Sequence, residues 1–169
     1  MKRIALLIEN LYDEKEFVFP YYRLLEEGYQ VDILGTKKGV TYTGKHGLPF
    51  KSDLSTEEAN PDDYDALVIP GGFSPDYMRR SKATIDFTHK MHQQKKIIAA
   101  ICHAPWLLIS SIDLSGHKLT GYHSLKVDIE NAGATYLDEE VVVSENLITS
   151  RNPNDLPIYL KTIIQNINA

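Results

Sequence analysis

Short, largely apolar runs alternate with helical patterns along this chain, and that alternation limits the fold more than any other feature. The runs lie at residues 4–8, 29–34, 64–70 and 97–101, and they have the length of single strands. Such runs are typical of parallel strands that are buried on both faces. We therefore predict an α/β fold in which residues 1–169 form one domain, with a mostly parallel sheet between two layers of helices.

Composition and charge exclude several classes of partner. The 169-residue chain has a net charge of −5 and no basic stripe that would bind nucleic acid. Its N-terminal apolar run stops at Glu9, which is too short for a signal peptide or a membrane span. A single cysteine cannot form an internal disulfide, so a reducing compartment fits, and we predict a cytoplasmic protein. Because phosphate-binding glycine loops and zinc-spaced Cys/His sets are absent, we predict no cofactor and no metal.

The single cysteine, Cys102, lies between the run at 97–101 and a helical pattern at 105–111. A thiol in a turn before a helix N-terminus meets free N–H groups and the positive end of the helix dipole, which lower its pKa. The alternative is a small core side chain, because free cysteine is one of the most buried residue types. Ligands of open parallel sheets bind beyond the carboxyl ends of the strands, and this favours a functional Cys102.

A nucleophile at such a turn needs donors for an oxyanion and a partner for its proton. The N–H groups of His103 and Gly72 are the candidate donors; a simple strand-end turn is the alternative for Gly72. The His103 side chain is the candidate base, and a surface or capping histidine is the alternative. A base needs an orienting carboxylate, for which Asp76 is the candidate, from the same chain or from a neighbouring subunit.

Glu16 is the candidate residue for tuning the thiol. It begins a predicted helix after the first strand. One interpretation is that Glu16 is an ordinary acidic residue at a helix N-terminus, where the helix dipole favours a negative charge. The other is that Glu16 points into the pocket and, when burial keeps it protonated, donates a hydrogen bond to the sulfur. Pro20 lies inside the same helical pattern and predicts a break or restart of the helix. Lys45 and Tyr122 lie in loops that could reach the site.

Two segments together resemble the ThiJ/PfpI superfamily. They are AICHAP at residues 100–105 and ALVIPGGFSPD at residues 66–76. Further matching segments extend the resemblance over almost the whole chain; they lie at residues 43–47, 119–122, 131–134, 141–143 and 149–151. Within the superfamily, the chain is most similar to the PfpI branch of intracellular proteases and bacterial general stress proteins.

The resemblance implies a flavodoxin-like three-layer sandwich with Cys102 on a strained nucleophile elbow. It implies that Glu16 approaches the sulfur and that Gly72 and His103 supply oxyanion donors. In PfpI-type oligomers, an acidic residue from the adjacent subunit orients the histidine, and Asp76 holds the matching position here. The resemblance therefore implies a homodimer or a larger homo-oligomer whose site is completed across the interface.

The resemblance also places Tyr122 and Lys45 in the substrate pocket. Asp13 belongs to the first loop of the pocket, at a position where relatives often carry Glu. A second departure is Ala104, which stands where Gly is common and adds a methyl group beside the elbow.

Three functions fit these residues. The lead hypothesis is a PfpI-like cysteine hydrolase linked to the stress response, in which Cys102 attacks the carbonyl of a peptide or another small acyl substrate and His103 moves the proton. The first alternative is a glyoxalase or deglycase, in which Cys102 forms a hemithioacetal with methylglyoxal or a glycated group. The non-enzymatic alternative is an oxidative-stress sensor, because an exposed thiol of low pKa is oxidised first.

Overall fold

The computed structural model describes residues 1–169, and its largest sheet has seven strands. The strands are β1 (Arg3–Leu7), β2 (Gln30–Gly35), β3 (Thr41–Thr43), β4 (Pro49–Lys51), β5 (Leu54–Ser55), β6 (Ala66–Ile69), β7 (Ile97–Ile101), β8 (Lys118–Leu119), β9 (Thr135–Tyr136), β10 (Val142–Ser144) and β11 (Leu147–Ser150). The α-helices are α1 (Glu14–Glu26), α2 (Ser74–Met78), α3 (Lys82–Gln93), α4 (Pro105–Ser111), α5 (Lys126–Asn131) and α6 (Leu156–Ile167).

The main sheet is parallel except at one edge. Its strand order is β10-β11-β7-β6-β1-β2-β5, and only the β10–β11 pair is antiparallel. Two small sheets, β3 with β4 and β8 with β9, lie outside it. The predicted mostly parallel sheet is therefore confirmed, and β3 and β4 form an antiparallel hairpin beside it.

Each face of the main sheet is covered by helices. Successive side chains of a strand point to opposite faces, so Ile4 and Leu6 of β1 join one hydrophobic core and Ala5 and Leu7 join the other. The first core also takes its side chains from α1 and α6, and the second takes them from α2, α3, α4 and α5. This arrangement confirms the predicted three-layer sandwich.

The first helix differs from its prediction. A break at Pro20 was predicted, but α1 runs from Glu14 to Glu26 with Pro20 inside it, and this prediction was wrong. The missing N–H of a proline costs one helical hydrogen bond. Burial of Pro20 itself, together with Phe17 and Leu24 on the same face, offsets that cost.

The carboxyl ends of three central parallel strands lie side by side at one edge of the sheet. β1, β6 and β7 are consecutive in the strand order, and the loops that follow them begin at Ile8, Pro70 and Cys102. The candidate residues of these loops therefore meet at one place. No helix of this fold has both the length and the apolar character that crossing a membrane requires.

Candidate active site

Cys102 sits on the elbow between β7 and α4 with a left-handed backbone, at φ 63°. A residue with a side chain rarely adopts this conformation, and such strain is concentrated at functional sites. Two hydrogen bonds hold it: the Cys102 N–H donates to the Ser150 carbonyl (3.0 Å), and the Cys102 carbonyl accepts from the Tyr122 N–H (2.8 Å). The elbow predicted from the sequence is therefore present, with the thiol 8% exposed.

Two backbone N–H groups border the thiol. Gly72 and His103 line the same cleft as Cys102, and neither residue's N–H donates to another backbone group. The His103 N–H instead lies against the Cys102 sulfur. Because neither N–H is bound to the backbone, both can receive a negatively charged oxygen that forms on a carbon attached to the sulfur.

The turn at Gly72 tolerates no side chain. Gly72 has a φ of 70°, and a Cβ there would clash with the Leu11 carbonyl oxygen and lie 2.6 Å from the Asp13 nitrogen. These are backbone atoms of the loop that carries α1, so the clash cannot be relieved by turning a side chain.

We expect Gly72→Ala to lower stability by more than the ordinary cost of alanine in this conformation, about 1–2 kcal/mol. Gly28→Ala is the matched control, because Gly28 has a φ of 87° and open space around its Cβ position. Urea unfolding of both variants measures the difference. Equal losses in the two variants would contradict the close approach at Gly72.

Glu16 is completely buried beside the thiol. Its Oε1 accepts a hydrogen bond from the Gly71 N–H (2.9 Å). A Cβ built on Gly71 would clash with both Glu16 Oε1 and the Cβ of Cys102, so only glycine at this position leaves room for the two side chains. Burial, and next the charge of Asp13, raise the pKa of Glu16 to about 8.

The same surroundings act on the sulfur. Burial, and next the charge of Glu16, raise the pKa of the Cys102 thiol, and the His103 N–H only partly opposes them. The sequence predicted a lowered pKa from the helix N-terminus; the enclosed site reverses that direction because desolvation outweighs the dipole. At neutral pH, Cys102 is therefore a thiol that needs a base when it attacks.

His103 is positioned to be that base. Its Nδ1 lies 3.3 Å from Cys102 Sγ, and its ring packs between Tyr122 and Trp106 with centroid distances of 4.8 Å to each. Burial, and next the charge of Lys45, lower the pKa of His103 below its usual 6.5. The imidazole is therefore neutral at pH 7 and can accept a proton.

Asp76 does not meet His103 within the chain. It lies on α2, where its carboxylate accepts hydrogen bonds from Arg79 (2.8 Å) and Arg80 (2.7 Å). These two guanidinium groups lower the pKa of Asp76. Of the two origins predicted for the orienting carboxylate, the same chain therefore does not supply it through Asp76.

Asp13 and Lys45 form an ion pair at the mouth of the site. Lys45 Nζ lies 2.6 Å from Asp13 Oδ2, and Asp13 Oδ1 caps α1 by accepting from the N–H groups of Lys15 and Glu16. Asp13 thus has a structural role that its assignment to the pocket did not include. The charge of Lys45 also lowers the pKa of Glu16, opposing its burial.

All predicted site residues except Asp76 line one cleft of about 590 Å³. Eight further residues line the cleft and were not predicted as site residues; they include Leu11, Phe73, Trp106 and Asn152. Trp106 could have been found, because it lies three residues after His103, in the first turn of the predicted helix. A larger groove, of about 970 Å³, runs along the outer side of α1 and contains neither Cys102 nor His103.

Comparison with known proteins agrees with this geometry. Residues 2–166 match the DJ-1/PfpI family. The chain belongs to the DJ-1/PfpI family. The curated relatives include “Deglycase PfpI” from Pyrococcus furiosus, which is 42% identical over 163 residues, covering 96% of this chain and 98% of the relative.

Other relatives in the DJ-1/PfpI family carry different names. “General stress protein 18” and “Putative cysteine protease YraA”, both from Bacillus subtilis, are each 42% identical. The matches cover 94% of this chain in both cases, with 93% of the first relative and 94% of the second. The predicted resemblance to the PfpI and stress-protein branch is confirmed.

A solved two-domain protein from Anabaena variabilis, with DJ-1/ThiJ/PfpI-like and ferritin-like domains, superposes with a TM-score of 0.97 at 42% identity. The match covers 99% of this chain and 48% of that protein.

Proposed function

We propose that this protein is a glyoxalase or deglycase that converts methylglyoxal, or methylglyoxal adducts of amines, to lactate. The observation that carries the proposal is Glu16: a buried carboxyl beside Cys102 whose pKa, raised by burial to about 8, lets it release and recover a proton near neutral pH. Isomerisation of a bound α-ketoaldehyde needs such a group next to the sulfur. The name “Deglycase PfpI” of a 42% identical relative supports the same reaction class.

In the first step, the Cys102 sulfur bonds to the aldehyde carbon of methylglyoxal. The thiol proton passes to His103 Nδ1, which lies 3.3 Å from the sulfur, and from there to the former aldehyde oxygen. The N–H groups of Gly72 and His103 stabilise the negative charge on that oxygen before the proton arrives. The product is a hemithioacetal. If the substrate is an amine adduct, the sulfur replaces the amine on that carbon, which already carries a hydroxyl, and the thiol proton passes through His103 to the departing amine.

In the second step, the Glu16 carboxylate removes the remaining proton from the sulfur-bearing carbon and returns it to the neighbouring carbon. The hydroxyl proton moves to the neighbouring oxygen at the same time, and a thioester results. One carbon is oxidised and its neighbour is reduced, so no outside oxidant is required. Water then breaks the carbon–sulfur bond, with neutral His103 as base, and releases lactate and the Cys102 thiol.

A peptidase-like hydrolase is the second candidate, and the contact between His103 and Cys102 favours it. Such an enzyme needs a carboxylate to orient the histidine. We propose that a second copy of the chain supplies Asp76 for this purpose in a homo-oligomer. The partner's acid is essential for the peptidase reaction, whereas the lactate-forming reaction uses Glu16 from the same chain as Cys102.

Product analysis of the reduced wild-type protein distinguishes the two candidates. Incubation with methylglyoxal is expected to yield lactate in proportion to the methylglyoxal consumed, measured by proton NMR. A parallel incubation with a fluorogenic peptide library is expected to show no cleavage. Peptide cleavage without lactate formation would overturn the proposal in favour of the peptidase, and the absence of both reactions would overturn both candidates.

A further inference from the structure

Two buried polar groups on one face of the sheet have no hydrogen-bond partner. Helices α1 and α6 lie on the same face of the sheet; α1 carries Glu16 and α6 carries Tyr159. Both side chains are 0% exposed, and neither Glu16 Oε2 nor the Tyr159 hydroxyl has a hydrogen-bond partner. A buried polar group left unpaired is costly, and each such group in a folded protein requires an explanation.

The two groups are complementary. Burial, and next the charge of Glu16, raise the pKa of Tyr159, so its phenol keeps its proton and is always a donor. Glu16 Oε1 is already occupied by the Gly71 N–H, and Oε2 has no partner. The other groups that face this carboxyl are the Cys102 thiol and the charges of Asp13 and Lys45. Tyr12 belongs to the same hydrophobic core as Tyr159, but its hydroxyl is already bound to the Leu48 carbonyl.

We propose that Tyr159 is a positioning residue for Glu16: its buried hydroxyl donates a hydrogen bond to Glu16 Oε2 when that carboxyl ionises, directly or through one internal water. The inference rests on the proposed role of Glu16 as the proton carrier. A donor at Oε2 stabilises the charged carboxylate against its apolar surroundings. Together with the Gly71 N–H at Oε1, it also fixes the plane of the carboxylate.

Removal of this hydroxyl changes the ionisation of Glu16. In Tyr159→Phe the Glu16 carboxylate loses its donor. Its acid dissociation constant is therefore expected to fall about tenfold, which raises the midpoint of its titration by about one pH unit. The lactate-forming rate below the new midpoint falls by the same factor, because less of the protein holds Glu16 as a carboxylate.

Infrared difference spectroscopy measures this directly. The spectrum of the wild type minus that of Glu16→Gln isolates the Glu16 carboxyl band, which is then followed from pH 5 to pH 10. For Tyr159→Phe, the reference is the double variant that also carries Glu16→Gln. Tyr29→Phe is the matched control, because the Tyr29 hydroxyl donates to Asn168 (2.7 Å) in the same core. The midpoint is expected to rise in Tyr159→Phe and to stay at the wild-type value in Tyr29→Phe.

Tyr159→Leu, a second variant without the hydroxyl, is expected to shift the midpoint in the same direction. An unchanged midpoint in both Tyr159 variants would overturn the proposal, because it would show that the Tyr159 hydroxyl does not affect the ionisation of Glu16. An equal shift in Tyr29→Phe would overturn it too, by assigning the effect to general loosening of the core. The readout needs no substrate, so a protein that makes no lactate would refute the proposed function and leave this test intact.

Discussion

Replacement of Cys102 with serine is expected to lower the rate of lactate formation from methylglyoxal by at least about 10³-fold. A hydroxyl is a much weaker acid than a thiol, and the buried elbow already raises the pKa of the group at this position. The hemithioacetal then fails to form, and every later step depends on it. Initial rates of lactate release at saturating methylglyoxal measure the effect.

The variant must be shown to fold. We expect its circular dichroism spectrum and its melting curve to remain close to those of the wild type, because serine is similar in size to cysteine. Cys102→Ala, which has no nucleophilic atom, is the companion variant and is expected to be equally inactive. Cys102 is the only cysteine, so both variants also lose all labelling by iodoacetamide. A folded Cys102→Ser that stays within tenfold of the wild-type rate would refute the role of the thiol.

Glu16→Gln is expected to lower kcat for lactate formation by about 10²- to 10⁴-fold, the range typical of a lost general acid or base. Glutamine has nearly the same shape, and its side-chain oxygen can still accept from the Gly71 N–H. It cannot take the proton from the hemithioacetal carbon. Hemithioacetal formation is expected to survive, so the variant should accumulate a methylglyoxal adduct on Cys102 that intact-protein mass spectrometry detects.

Glu16→Gln is also expected to change the stability of the protein, by an amount that depends on pH. Burial raises the pKa of Glu16 from 4.5 to about 8, so the unfolded chain releases this proton at lower pH than the folded protein does. The contribution of Glu16 to stability is therefore fully present below pH 4.5 and is lost as the pH rises through about 8. Urea unfolding is expected to show Glu16→Gln gaining stability over the wild type across this window, by roughly 5 kcal/mol at most. A pH-independent difference would contradict the raised pKa.

The sheet and the site at its edge could be predicted from the sequence because they follow from local pattern. The buried runs gave the parallel strands, and the chemistry-bearing residues Glu16, Gly72 and Cys102 lie in or near the loops after three of them. Strands β1, β6 and β7 are adjacent in the sheet, so these residues converge. That inference needed no side-chain detail.

Other features depend on packing between distant segments, which the sequence pattern does not contain. Pro20 stays inside α1 because core contacts offset its missing hydrogen bond. The direction of the Cys102 pKa shift depends on how completely the neighbouring loops enclose the sulfur, whereas the local sequence pattern indicates only the helix N-terminus. The second role of Asp13, as the cap of α1, became visible only once the helix start at Glu14 was known.

The pH dependence of kcat/KM for lactate formation tests the central claim, that Glu16 moves the proton, most directly. Because kcat/KM reports ionisations of the free enzyme, the wild-type value is expected to rise with pH through an apparent pKa of about 8 and then to level off. In Glu16→Gln, the low remaining rate is expected to lack this inflection. An inflection near pH 8 that is unchanged in Glu16→Gln, or a wild-type profile that is flat from pH 6 to pH 9, would contradict the account.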